Sequence, residues 1–196
     1  MPETHLDLLR HGQCEGGEIF RGSHDVALTP EGWANMDARV AAETPVPWAA
    51  VVTSPLQRCR AFAETAAERL GLPLILEPDL REMHFGDWEG RLYQDIWDSD
   101  PTLALWGEDP EQHTPPQGEP LADFDQRVNT ALDHLAQRQA GQRLLVVTHG
   151  GVIRLLLTRA KGLPRNTLRD QPVPYAHFVS LSWDEGQLSE VSGEAG

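Results

Sequence analysis

Two apolar runs in this chain each stop at a histidine followed by glycine, and that repetition limits the fold more than any other feature. Leu6, Leu8 and Leu9 lead into Arg10-His11-Gly12, and far downstream Leu144-Leu145-Val146-Val147 lead into Thr148-His149-Gly150-Gly151. Short apolar runs with such abrupt ends read as buried strands. Glycine just past the end permits backbone angles closed to other residues and the close approach of a ligand. In an open α/β sheet, ligands sit beyond the carboxyl ends of the strands at the topological switch point. Two strands would thus deliver two imidazoles to one edge. A single strand-end histidine is ordinarily structural or merely exposed. A pair, each beside cations or a helix N-terminus, points to an anion site.

The remaining elements alternate in the same manner. Thr29 and Pro30 mark the cap and first residue of a helix running to about Ala42. Ala49 to Thr53 reads as a short buried strand, and Ser54-Pro55 repeats the cap-plus-proline signal before a second helix with an apolar stripe of Phe62, Ala66 and Leu70. Leu74-Ile75-Leu76 is a further strand. Leu121, Phe124, Val128, Leu132 and Leu135 lie on one face of a helix from Leu121 to about Gln139, whose charged face reads as solvated surface. Ala176 to Trp183 and Leu188 to Val191 are the last strands, joined by Asp184-Glu185-Gly186. This order predicts an α/β fold, a three-layer α/β/α sandwich with a mostly parallel central sheet. At 196 residues it fits a single domain, with a lid-like insertion at about 91–120 that holds Trp97, Trp106 and several prolines.

A net charge of −14 argues against nucleic acid and against anionic membranes as partners. The same charge makes the positions of the arginines informative, because a few concentrated cations can still hold a small anion. Lys161 is the one lysine, so the cationic chemistry is that of guanidinium, which suits bidentate phosphate contacts. Cys14 and Cys59 have neither CxxC nor metal-ligand spacing and read as free thiols in a reducing compartment. The amino terminus carries no signal-peptide pattern and no run reaches transmembrane length, so the expected location is the cytoplasm. Neither GxxxxGK[ST] nor a strand-linked GxGxxG occurs, leaving nucleotide cofactors without support.

Several further residues are candidates for the site. Arg58 falls in the first turn of its helix, where a cation opposes the helix dipole unless an anion docks there. Arg21 is the one cation in a polar, glycine-rich loop, and the neighbouring Gly22 and Ser23 could offer N–H groups to an anion. Three carboxylates, Glu82, Asp87 and Glu89, crowd one segment after the third strand. A general acid needs only one; Glu82 comes first after the strand, and the others could serve as loop or helix-start residues.

Together, Leu9-Arg10-His11-Gly12, Ser54-Pro55-Leu56-Gln57-Arg58, the Glu82 segment and Thr148-His149-Gly150-Gly151 resemble the histidine phosphatase superfamily, the phosphoglycerate mutase-like fold. The likeness covers nearly the whole chain. It implies His11 as the phosphorylated nucleophile, Arg10, Arg58 and His149 as the phosphate pocket, Glu82 as the proton donor, and no metal or other cofactor. A finer likeness is to the α-ribazole phosphatases of cobalamin biosynthesis. It rests on Leu6-Asp7-Leu8-Leu9-Arg10-His11-Gly12, on the Gly16-Gly17 and Arg21-Gly22 loop, on Glu82-Met83-His84-Phe85-Gly86-Asp87-Trp88-Glu89-Gly90 and on Pro116-Gln117-Gly118-Glu119. Many superfamily members have an asparagine six residues after the nucleophile; here that position is Gly17, so that contact is missing or comes from another residue such as Arg21.

The expected partner is a small phosphorylated metabolite acted on by a monomer or homodimer. The rivals are a broad-specificity sugar or nucleotide phosphatase, a phosphoglycerate mutase-type phosphotransferase, an inactive phosphate-binding module and a metal site built from His11, His149 and Glu82. The mutases typically carry a longer insertion and tail, dead relatives generally lose the nucleophile or an arginine, and the metal set has no characteristic spacing.

Overall fold

The computed structural model describes residues 2–43 and 45–191. Its strands are β1 (Thr4–Arg10), β2 (Ala50–Thr53), β3 (Leu74–Leu76), β4 (Arg143–Thr148), β5 (Phe178–Asp184) and β6 (Gln187–Glu190). They form one sheet in the order β3-β2-β4-β1-β5-β6. β3, β2, β4 and β1 run parallel, while β5 pairs antiparallel with β1 and with β6. The helices are α1 (Pro30–Ala41), α2 (Gln57–Leu70), α3 (Tyr93–Ser99), α4 (Thr102–Glu108), α5 (Leu121–Arg138) and α6 (Gly150–Ala160). The mostly parallel sheet of the sequence reading is therefore present.

Period-two alternation along the strands separates two cores. Leu9, Val51, Leu145 and Val147 pack with Met36 and Val40 of α1 and Phe62 and Ala66 of α2. Leu6, Leu8, Val52, Leu144 and Val146 face the other way, onto Phe124, Val128 and Leu132 of α5 and Ile153 and Leu156 of α6. Helices thus cover both faces, giving the three layers. Ile96, Leu103 and Trp106 of the 91–120 stretch belong to this second core, so α3 and α4 pack into the domain.

Register builds the functional edge. Arg10 lies opposite Thr148, and Thr53 opposite Val147. The ladder continues one residue further, with His11 N–H donating to Thr148 O at 2.9 Å and Ser54 N–H to Val147 O at 3.1 Å. His11, His149 and Ser54 consequently emerge side by side at the carboxyl ends of β1, β4 and β2. β1 leads through α1 to one side of the sheet and β4 through α6 to the other, so the switch point lies between them.

Thr29 caps α1, its side chain accepting from Gly32 N–H at 2.9 Å with Pro30 at the first position. A Cβ on Gly12 would lie 2.1 Å from Gly32 O, so glycine is what lets the end of β1 pass against α1. The second cap reading needs correction: α2 begins at Gln57 with Leu56 as its cap residue and no side-chain cap bond. The Ser54 hydroxyl is committed elsewhere. At the other end, β5 begins at Phe178, because Ala176 turns into the left-handed region at φ 54°. No helix among the described residues is long and apolar enough to cross a membrane.

Candidate active site

His11 and His149 face each other with ring centroids 5.3 Å apart at 63°. His11 Nδ1 lies 2.8 Å from Gly12 O, so Nδ1 carries the proton and Nε2 keeps its lone pair. Burial, and next the Arg58 guanidinium, push the His11 imidazole well below the usual histidine range. His149 is pushed down in the same way, by burial first and Arg58 second. Its Nε2 shares a 2.7 Å hydrogen bond with Ser54 Oγ. The hydroxyl read as a helix cap thus orients the second histidine, and only the strand register could have revealed it.

Arg58 is fully buried. Its Nη atoms donate to His24 O at 3.0 Å and Gly22 O at 2.7 Å. Arg10 donates through Nη1 to Val173 O. Arg21 holds its own loop together by donating to the carbonyls of Cys14, Glu15 and Gly17. In all three arginines the Nε–H is buried without a partner among the described residues, at a cost of about 1–3 kcal/mol each, and all three line the same cavity.

Glu82 is fixed by backbone donors, Met83 N–H to Oε1 at 3.0 Å and Gly151 N–H to Oε2 at 3.1 Å. A Cβ on Gly151 would come within 2.2 Å of Oε1, so the second glycine after His149 makes room for this carboxylate. Asp87 is exposed. Glu89 accepts from Ser23 N–H at 2.8 Å, Ser23 Oγ at 2.6 Å and Phe85 N–H at 2.9 Å. The anion received by Ser23 is therefore the Glu89 side chain, and Ser23 stands off the cavity wall while Gly22 lines it. Of the three crowded carboxylates, Glu82 alone reaches the cavity.

The sequence reading missed Arg127. It lies on the face of α5 expected to be solvated surface, yet it is mostly buried and grips Glu119 at 2.6 and 2.9 Å. It also donates to the carbonyls of Asp79 at 2.7 Å, Arg81 at 2.9 Å and Glu82 at 3.0 Å. Thr148 Oγ1 donates to Leu80 O at 2.8 Å, tying the same segment to β4. Arg127 therefore sets the backbone from which Glu82 projects.

The cavity is about 620 Å³ and is lined by Arg10, His11, Arg21, Arg58 and Glu82, with Phe20, Phe85, Tyr93 and Trp106 along an aromatic wall. Trp97 is exposed, stacked on Tyr93 and absent from the lining, which Tyr93 and Trp106 reach from the same stretch. Arg154 and Arg169 line the cavity too. No ion pair engages any of these five arginines among the described residues, whereas most other cations of the chain are paired. Free positive charge in a chain of net charge −14 is gathered at one place. Among the described residues no three His, Cys, Asp or Glu side chains converge as a metal site would require.

Comparison with known proteins decides the family. The model of the histidine phosphatase superfamily, branch 1, matches residues 6–193. The chain belongs to this superfamily. Among its relatives, a bifunctional protein of Mycobacterium tuberculosis is 39% identical over 163 residues, covering 80% of this chain and 44% of that protein. The chain thus spans less than half the length of that relative. The adenosylcobalamin/alpha-ribazole phosphatase of Salmonella typhimurium is 32% identical over 166 residues, 83% of this chain and 82% of the relative. The structure of the alpha-ribazole phosphatase from Shigella flexneri superposes with a TM-score of 0.85 at 27% identity, covering 95% of this chain and 94% of that one. As a branch 1 member the chain has the phosphoglycerate mutase-like arrangement expected from its sequence.

Proposed function

We propose that this protein is a phosphomonoesterase that works through a phosphohistidine on His11. The observation that carries the reading is the His11 side chain itself: an imidazole kept neutral by burial and by Arg58, with its Nδ1 proton held at Gly12 O and its Nε2 free, among arginines whose Nε–H groups lack partners. A neutral imidazole attacks phosphorus directly and divides one difficult displacement into two.

In the first step the Nε2 lone pair forms the N–P bond while the bond from phosphorus to the ester oxygen breaks. Glu82 gives its proton to the departing oxygen, so the alcohol leaves neutral. Arg10 and Arg58, which line the cavity, stabilise the charge spread over the equatorial oxygens; the family resemblance adds His149, which is fully buried against His11 and stands behind the lining. Water then attacks phosphorus, returns a proton to Glu82 and releases phosphate, which restores His11. Gly12 O supports the cationic imidazole of the intermediate. Guanidinium and imidazole supply the charge stabilisation that a metal supplies elsewhere, so the step needs no cofactor.

For the substrate, the finer reading is α-ribazole 5′-phosphate in cobalamin biosynthesis, in the cytoplasm. The names of the Salmonella and Shigella relatives support it. So does the wall of Phe20, Phe85, Tyr93 and Trp106, which offers stacking surface to an aromatic base. Arg21 and Gly22 face the same space from the opposite loop. The test is kcat/KM for α-ribazole 5′-phosphate against a panel of sugar phosphates, nucleotides and phosphoglycerates. A clear preference for the first supports the reading. Equal rates across the panel favour a broad-specificity phosphatase, and phosphoglycerate interconversion stimulated by a bisphosphoglycerate favours a mutase.

A further inference from the structure

Tyr175 has no part in the scheme above, yet it occupies a singular place. Its ring lies over the Arg10 guanidinium, 4.3 Å from Cζ to centroid, and its centroid is 5.8 Å from that of His11. Arg21 Nη1 donates to its hydroxyl at 3.4 Å. The segment that carries it is tied to the site at three points: Arg154 Nε to Gln171 O at 3.1 Å, Arg10 Nη1 to Val173 O, and Ala176 N–H to His11 O at 3.3 Å. Ala176 holds a left-handed backbone at φ 54°, which is unfavourable for a residue with a Cβ. The turn is thus kept in a costly shape, and the side chain it presents is Tyr175. A packing role does not account for this, because Tyr175 is 39% exposed.

We infer that Tyr175 is a positioning residue of the phosphoryl site: its ring clamps Arg10 in the orientation that meets the phosphoryl group and roofs His11. The physical ground is the cation–π attraction of a partly desolvated guanidinium, which no carboxylate holds in an ion pair among the described residues. By contacting Arg21 as well, the phenol joins the strand end to the glycine-rich loop on the opposite rim. The inference rests on the reading of this pocket as a phosphoryl site, and it does not depend on which ester is hydrolysed.

The experiment is calorimetric titration of the whole protein with inorganic phosphate and with orthovanadate, neither of which needs turnover. Tyr175→Phe keeps the ring and should bind both within about threefold of wild type, whereas Tyr175→Leu should lose about tenfold, the scale of one such contact. In an Arg10→Lys background the planar stack is already gone, so Tyr175→Leu should add less than about threefold there. Unchanged affinity in Tyr175→Leu, an equal loss in Tyr175→Phe, or additive losses in the double variant would each overturn the assignment. The additivity test holds even where a single variant loses stability. If phosphate binds in a Tyr175-dependent way but no ester is turned over, the proposed hydrolysis fails and this inference stands. Turnover with ring-independent phosphate affinity is the reverse case.

Discussion

Ser54 Oγ and His149 Nε2 lie 2.7 Å apart, both fully buried, at the ends of two neighbouring parallel strands. The bond commits one nitrogen of the second histidine and leaves its ring edge-on to His11. Ser54→Ala should therefore reduce kcat/KM by about tenfold, near 1.4 kcal/mol of transition-state binding. Losing this bond, with only Cys59 Sγ at 3.6 Å left beside the same nitrogen, should also cost about 1 kcal/mol of stability. Steady-state kinetics and denaturant melts check both; wild-type kcat/KM would remove Ser54 from the account.

In the proposed mechanism Glu82 serves both chemical steps, as acid in the first and as base in the second. Glu82→Gln should slow alkyl phosphates severely, since the leaving oxygen then departs unprotonated, but spare phosphoenzyme formation from p-nitrophenyl phosphate. Water would still lack its base, so phosphohistidine should accumulate in this variant. Rapid-quench measurements read both. Equal slowing of alkyl and aryl esters with no accumulation would transfer the role to another group.

Arg127 should act on the reaction only through the backbone of residues 79–82. Arg127→Met leaves Glu119 with only the His84 N–H as donor and frees three carbonyls, a loss on the order of 3 kcal/mol of stability for a largely buried pair. At temperatures where the variant stays folded, kcat should fall while the inhibition constant for phosphate stays near wild type. A matching loss of phosphate affinity would show that Arg127 serves the arginine pocket instead.

The buried histidines fix a pH dependence. Both have folded-state values below the 6.5 of an unfolded histidine. Below about pH 6.5 the unfolded chain takes up protons that the folded chain refuses, so stability is full above that pH and falls as the pH drops. Two such groups give a slope of at most about 2.7 kcal/mol per pH unit. Chemical denaturation between pH 7.5 and 5.5 should show this decline, and His149→Asn should make it shallower while His11 keeps part of it. A flat profile in the wild type would contradict the burial of neutral imidazoles.

Much of this was legible before any coordinates. The two His-Gly strand ends, the Thr29-Pro30 cap and the period of α5 are local patterns, and each lands where the chain's own periodicity put it. Ser54, Arg127 and Tyr175 were not legible, because their roles depend on register and on contacts between segments far apart in sequence. Ser54 even carried a misleading local signal, a hydroxyl before proline, which the neighbouring strand overrode. Ser23 illustrates the same limit: a loop N–H suited to any anion was already taken by Glu89, from a segment 66 positions away.

The central claim is that His11 Nε2 becomes phosphorylated. The direct measurement is rapid quenching of the wild type and of His11→Ala after brief mixing with 32P-labelled substrate, followed by acid and base treatment of the protein. The wild type should carry label that is labile in acid and stable in base, at up to one per chain, and His11→Ala should carry none and show no turnover. Label of undiminished amount in His11→Ala, or a base-labile, acid-stable adduct in the wild type, would place the nucleophile elsewhere.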